Sequence, residues 1–299
     1  MNKLPAGEVI AASYRFLFAH IGTVLAITGL PALLYAAADY GGHVYLAAHR
    51  AELDAADMRG QGLYFLVMAA GFIVAVFARA AAAVGIVREI FGWRVEGLHF
   101  PLDRTAFRMF FATLRFWLAS VALFALAFAV AALGLLLAGV PLNGTGEVTL
   151  TPASLIASLI AWTVLLYAGV TMLRMGFLLP AVVVAEKNGG LKRSHDLTTS
   201  NFWRVLLIAF VLVLPPTVLL IAGEAAVVGT AAVTGTPEQD DLFRVMARAE
   251  EAISRQLVPW EIFNAVVFIL YSGLTYSGAA YAYRTLTPAA SNRGAAPQD

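Results

Sequence analysis

The chain has 299 residues, 60% of them apolar and only 13% charged, with a mean hydropathy of +0.78. Twenty Lys and Arg plus nineteen Asp and Glu cannot cover the surface of a soluble protein of this length, so the composition points to a lipid bilayer and excludes a disordered or collagen-like chain. The net charge of +1 leaves no basic field for nucleic acid, and the absence of cysteine excludes disulfides, thiolate metal sites and a cysteine nucleophile.

The first 20 residues carry a helical stripe of Val9, Ala12, Phe16 and Ala19, which reads as a short amphipathic helix. A secretory leader has a short basic n-region instead, so the small-residue run Ala36-Ala37-Ala38 is not taken as a cleavage site. Charge-free windows of about 20 residues or more then give six spans. They cover 21–38, 63–87 interrupted by Arg79, 116 to about 140, 152–185 around Arg174, 205 to about 233 with Glu224 inside, and 262–283. Spans three to five exceed the bilayer thickness and must tilt, kink or protrude, with Pro180, Pro215 and Pro216 as kink points. In span six, Gly273 with Ser277 and Gly278 with Ala282 form small-residue pairs that permit close helix contact.

Thirteen of the 20 basic residues fall on one side: Lys3, Arg15, Arg88, Arg94, Arg104, Arg108, Arg115, Lys187, Lys192, Arg193, Arg204, Arg284 and Arg293. The other side holds Arg50, Arg59, Arg244, Arg248 and Arg255 among many acids. The positive-inside rule therefore predicts both termini in the cytoplasm of a bacterial inner membrane. On the outer side, 43–58 suggests a short helix and 141–152 a turn-rich link. The segment 236–258 patterns as an amphipathic cap helix, with Leu242, Val245, Met246, Ala249, Ile253 and Leu257 on one face, and offers a docking face to a protein partner.

Segments leading into the odd-numbered spans resemble one another. Residues 13–28 and 106–121 share Arg15/Arg108, Phe18/Phe111, Ala19/Ala112, Leu25/Leu118 and Ala26/Ala119, and 194–209 matches the first copy at Ser13/Ser194, Val24/Val205, Leu25/Leu206 and Ile27/Ile208. The expected fold is all-α: one integral membrane domain over 1–299, six transmembrane helices as three hairpin repeats (about 1–100, 101–190 and 191–287), each preceded by an interfacial amphipathic helix, with 288–299 a disordered tail.

The richest motif lies in the fourth loop: Pro180 and Glu186, then Lys192-Arg193-Ser194-His195-Asp196-Leu197-Thr198, then Phe202-Trp203-Arg204. It resembles the membrane domain associated with glycerophosphoryl diester phosphodiesterases and related six-span bacterial membrane proteins of unknown function. The resemblance implies the fold. The phosphodiesterase activity of such proteins resides in a separate soluble barrel with metal-binding carboxylates, for which this sequence has no stretch.

Read from its residues, the motif is an interfacial helix with Leu191, His195, Thr198 and Phe202 on one side, Lys192 and Arg193 in reach of lipid phosphates, Trp203 at the headgroup boundary, and Ser194 or Asn201 as a helix cap. Ser194, His195 and Asp196 are consecutive, hence about 100° apart on a helix, and cannot relay a proton. His43 and His49 with Asp54 and Asp57 match no metal-ligand spacing. No catalytic residue, metal or cofactor is therefore expected. Arg79, Arg174, Lys192, Arg193 and Arg204 are the candidate ligand or lipid-headgroup residues, since arginine inside a span pairs, faces inward or reaches the interface. The expected function is non-enzymatic handling or sensing of a membrane-associated ligand such as an anionic lipid, with transport a variant. The alternative is a structural or assembly partner of a membrane complex.

Overall fold

A computed structural model of the chain describes residues 3–49, 58–93, 100–138, 151–186, 190–228, 253 and 255–287. The regular elements among them are helices: α1 (Ala6–Ala19), α2 (Ile21–Ala48), α3 (Met58–Ile90), α4 (Arg104–Leu137), α5 (Pro152–Gly176), α6 (Leu179–Glu186), α7 (Leu191–Thr199), α8 (Phe202–Val228) and α9 (Leu257–Leu286). Six stretches are long and apolar enough to cross a membrane: within α2 and α3, α4, α5 running on into α6, α8, and α9. Helices suit this composition because hydrocarbon offers no partner for backbone amides and carbonyls, which a helix pairs internally. Large apolar side chains such as Phe65, Leu118, Leu137, Trp162, Leu166 and Ile221 point outward. Such a surface is stable against lipid and not against water, and the chain is a multi-pass membrane protein.

Consecutive spans pack as hairpins, α2 on α3, α4 on α5 and α8 on α9. Six spans bring Lys3 and Thr287 to one face, here the terminal face, and put the opposite helix ends, at Ala48 and Met58, Leu137 and Pro152, and Val228 and Leu257, on the distal face. Helix α9 is the hub, touching α1, α2, α3, α6 and α8. Its small residues make this possible. A Cβ on Gly278 would lie 2.2 Å from Leu212 Cδ1 of α8, and one on Gly273 would lie 2.8 Å from Leu17 Cδ1 of α1. Around them sits a core of Leu17, Val24, Ile27, Val84, Ile208 and Leu274, with the short helix α6 buried from Leu179 to Val184.

Helix α1 buries Val9, Ser13, Phe16 and Leu17 against α8 and α9 and exposes Glu8, Ala11 and Arg15. A break at His20 separates it from α2, as a break at Ser200 and Asn201 separates α7 from α8. The second unit differs from expectation. Among the described residues no separate interfacial helix precedes its span: α4 runs unbroken from Arg104 to Leu137. Asp103 starts the helix, its carboxylate accepting from the amides of Thr105 (3.0 Å) and Ala106 (2.9 Å), and residues 104–116 include no Gly, Pro, Asn or Ser to stop it. At 1.5 Å per residue α4 is about 51 Å long against a hydrocarbon core of about 30 Å, so it tilts or projects.

The prolines act in two ways. Pro180 breaks span four: α5 ends at Gly176, four residues earlier, where the ring would meet the helical carbonyl, and α6 resumes with Pro180 in its first turn. Pro215 and Pro216 lie inside a continuous α8. Pro215 lacks the amide that would bond the Val211 carbonyl, and the Tyr14 hydroxyl of α1 donates to that carbonyl at 3.1 Å. The expected cap helix falls outside the described residues except at 253 and 255–258, as do the tail 288–299 and most of the 141–152 link. Of the expected 43–58 helix, residues 43–48 prolong α2, 50–57 lie outside the described residues, and Met58 already opens α3.

Candidate functional site

The fourth-loop motif is occupied mainly in closing the terminal face. Because α5 stops at Gly176, the Leu173 carbonyl is the last to take a helical amide, that of Phe177, and the Arg174 carbonyl that follows turns to side chains. Ser194 Oγ and Thr198 Oγ1, one turn apart on α7, both lie 3.1 Å from the Arg174 carbonyl oxygen and donate to it. Ser194 thus lies inside α7 and not at its N-cap. Gly190 holds that position on α7, and the Ser194 hydroxyl closes the end of another helix. Asn201 precedes α8 and its carbonyl accepts the Val205 amide, but its side-chain Oδ1 accepts the Leu4 amide at 3.0 Å. Arg204 Nη1 donates to the Leu4 carbonyl at 2.8 Å, so Asn201 and Arg204 clamp the chain ahead of α1. Arg193 Nε donates to both oxygens of Glu186, at 3.0 and 3.1 Å, and Tyr283 Oη donates to the same carboxylate at 2.9 Å. Lys192 and Trp203 stay exposed, Trp203 at 76%.

Two further contacts finish this face. Arg284 Nη1 donates to the carbonyl of Ile90, the last residue of α3, at 3.0 Å. Arg88 pairs with Asp103. Partial burial alone would raise the Asp103 carboxyl, but the amides of Ala106 and Thr105 and the Arg88 guanidinium outweigh it and hold the group below its ordinary range.

The Arg174 guanidinium lies over the Phe202 ring, 4.9 Å from its centroid. Phe202 in turn lines an apolar groove of about 400 Å³ between α5 and α8, with Trp162, Leu166, Gly169, Leu173, Trp203 and Leu206 among its walls. Arg174, Phe202 and Trp203 therefore gather at its terminal-face end. Arg79 is elsewhere: its guanidinium sits 5.8 Å from the ring centroid of Tyr35 on α2, so the two span arginines occupy separate interfaces.

One turn beyond Tyr35, Asp39 and His43 on α2 meet Glu261 on α9, and one ligand atom from each lies within 4.8 Å of the others. In the sequence Asp39 and Glu261 border charge-free windows, where a charge reads only as the end of a span. The spacing of Asp39 and His43, four residues apart, was the available signal, since it puts both on one helix face. His49, by contrast, bonds the Tyr45 carbonyl at 2.9 Å through Nδ1, and Asp54 and Asp57 lie outside the described residues. Comparison with family models, curated proteins and solved structures returns no match for this chain.

Proposed function

We propose that the chain is a bacterial inner-membrane protein, both termini cytoplasmic, that holds an anionic lipid and has no catalytic activity of its own. The observation that carries this reading is the groove between α5 and α8. Its walls are apolar and aromatic as an acyl chain requires, and at its terminal-face end the Arg174 guanidinium lies over Phe202 beside the exposed Trp203, a residue type that favours the headgroup boundary. Arginine offers a phosphate paired donors that lysine cannot arrange, and Arg174 Nε is buried without a hydrogen-bond partner among the described residues. The excess of basic residues on the terminal face supports its cytoplasmic orientation. The likeness of the 180–206 motif to the phosphodiesterase-associated membrane domain belongs to this proposal as kinship of fold alone.

Native mass spectrometry of the purified protein, after equilibration with mixed anionic and zwitterionic phospholipid, tests the reading. A Cβ at Gly169 meets nothing within 4 Å, so Gly169→Leu fills the groove without disturbing helix packing. That variant should lose bound lipid of both kinds, and Arg174→Gln should lose the preference for the anionic one. Unchanged lipid retention in both folded variants would refute the proposal.

A further inference from the structure

Within the membrane-spanning helices, the distal half of the bundle holds a polar cluster that the groove does not use. Asp39 and His43 project from one face of α2, and Glu261 faces them from the first turns of α9. Glu261 is 6% exposed, and neither of its carboxylate oxygens has a hydrogen-bond partner among the described residues. A carboxyl sealed from water and lipid in this way is retained where positive charge reaches it or where a proton neutralises it. The Arg79 guanidinium lies against Tyr35, one turn from Asp39. His43 Nε2 stands 3.9 Å from Asp39, so the cluster sets two carboxyl groups and one imidazole side by side.

We infer that Asp39, His43 and Glu261 bind one divalent transition-metal ion, with zinc the best fit, and that the ion ties α2 to α9. Two carboxylates and a neutral imidazole neutralise a charge of +2. The mixed oxygen and nitrogen donors suit zinc, whereas calcium takes six to eight oxygens and magnesium an octahedral, largely hydrated shell. Tetrahedral zinc with bonds of about 2.0–2.1 Å needs donor atoms about 3.3 Å apart, so donors now within 4.8 Å of one another draw closer by at most about 1.5 Å when the ion binds. Three protein donors leave a coordination position for water or a ligand. Buried Asn264, three residues after Glu261, and Tyr35, four before Asp39, stand where groups that orient such donors stand. The site departs from the sequence expectation of no metal because its third donor lies on the far side of the chain from the other two.

Full-length protein in detergent, stripped with a chelator, is titrated with Zn²⁺ and separately with Co²⁺ as an absorbing probe. The wild type should bind one ion per chain, give a low-symmetry Co²⁺ spectrum and melt at a higher temperature with Zn²⁺. Glu261→Gln and His43→Gln should each weaken binding by at least about 100-fold and abolish the thermal shift. His49→Gln should retain both. The inference is overturned if the wild type binds no ion at micromolar concentration, or if Glu261→Gln and His43→Gln, folded by helical signal and monodisperse elution, bind as the wild type does. Stabilisation of the metal-free protein by Glu261→Gln, with no wild-type binding, would mean that Glu261 holds a proton in place of a metal.

Discussion

Removing the hydroxyls that close the end of α5 should produce a strongly non-additive loss of stability. The Arg174 carbonyl has two donors, Ser194 Oγ and Thr198 Oγ1, each at 3.1 Å. They are not equivalent. Thr198 Oγ1 also lies 3.0 Å from the Ser194 carbonyl and 2.9 Å from that of His195, and one hydroxyl proton serves one of these well at a time. In Ser194→Ala, Thr198 can turn its proton wholly to Arg174, and in Thr198→Val, Ser194 remains. Each single change should therefore cost about 0.5–1.5 kcal/mol, the net worth of one hydrogen bond. The double variant leaves a partly buried carbonyl with neither donor, which adds a desolvation penalty of about 1–3 kcal/mol to the lost bonds. The coupling energy in a double-mutant cycle should then be about 1 kcal/mol or more in the destabilising direction. Equilibrium unfolding by SDS titration of micellar protein reads it directly. Strict additivity, or a double variant as stable as either single, would refute the assignment of α7 as the cap of α5.

Tyr14→Phe should cost about 1–3 kcal/mol by leaving the Val211 carbonyl unpaired in the bilayer, and Pro215→Ala, which returns the missing amide, should remove most of that cost in the same unfolding assay. Asp103 has a folded-state carboxyl held below its ordinary value, so its contribution is complete above about pH 4 and is lost as pH falls through the lower folded-state value. Thermal melts of Asp103→Asn should accordingly sit below the wild type at neutral pH and converge with it in acid. Reporters active only in the cytoplasm should work when fused at either terminus or near Gly189 and fail near Asp57 or Asp240, as alkaline phosphatase fusions at the same points would check by the opposite pattern.

The spans were legible because bilayer thickness turns a one-dimensional property, the length of an apolar run, directly into structure. Their ends were less so. Cutting spans at ionisable residues stopped the first at Asp39, although α2 continues to Ala48, and started the sixth after Glu261, although α9 begins at Leu257. A charge near the end of a span can turn into the bundle as readily as out of it, and which it does depends on a neighbour distant in sequence. The same limit explains the fourth loop. Its basic residues and hydroxyls read as a surface for lipid, yet Ser194, Arg193, Asn201 and Arg204 each have a partner on another element. The Pro180 break was foreseeable from the ring's clash four residues back; which side chains would satisfy the carbonyls it leaves was not.

The position of α9 at the centre of the bundle governs how the protein can be made. It is the last of the described helices to leave the ribosome, yet α1, α2, α3, α6 and α8 all rest on it. Until it enters the bilayer, the surfaces that receive Gly273 and Gly278 face lipid, and Asp39 and His43 wait in α2 without Glu261. The hairpins α2–α3 and α4–α5 can pack as they emerge, but the surfaces of α1, α2, α3, α6 and α8 that meet α9 stay uncovered until it arrives. A chain cut before residue 257 lacks the helix on which those five rest, and should for that reason be far less stable than the chain that includes it.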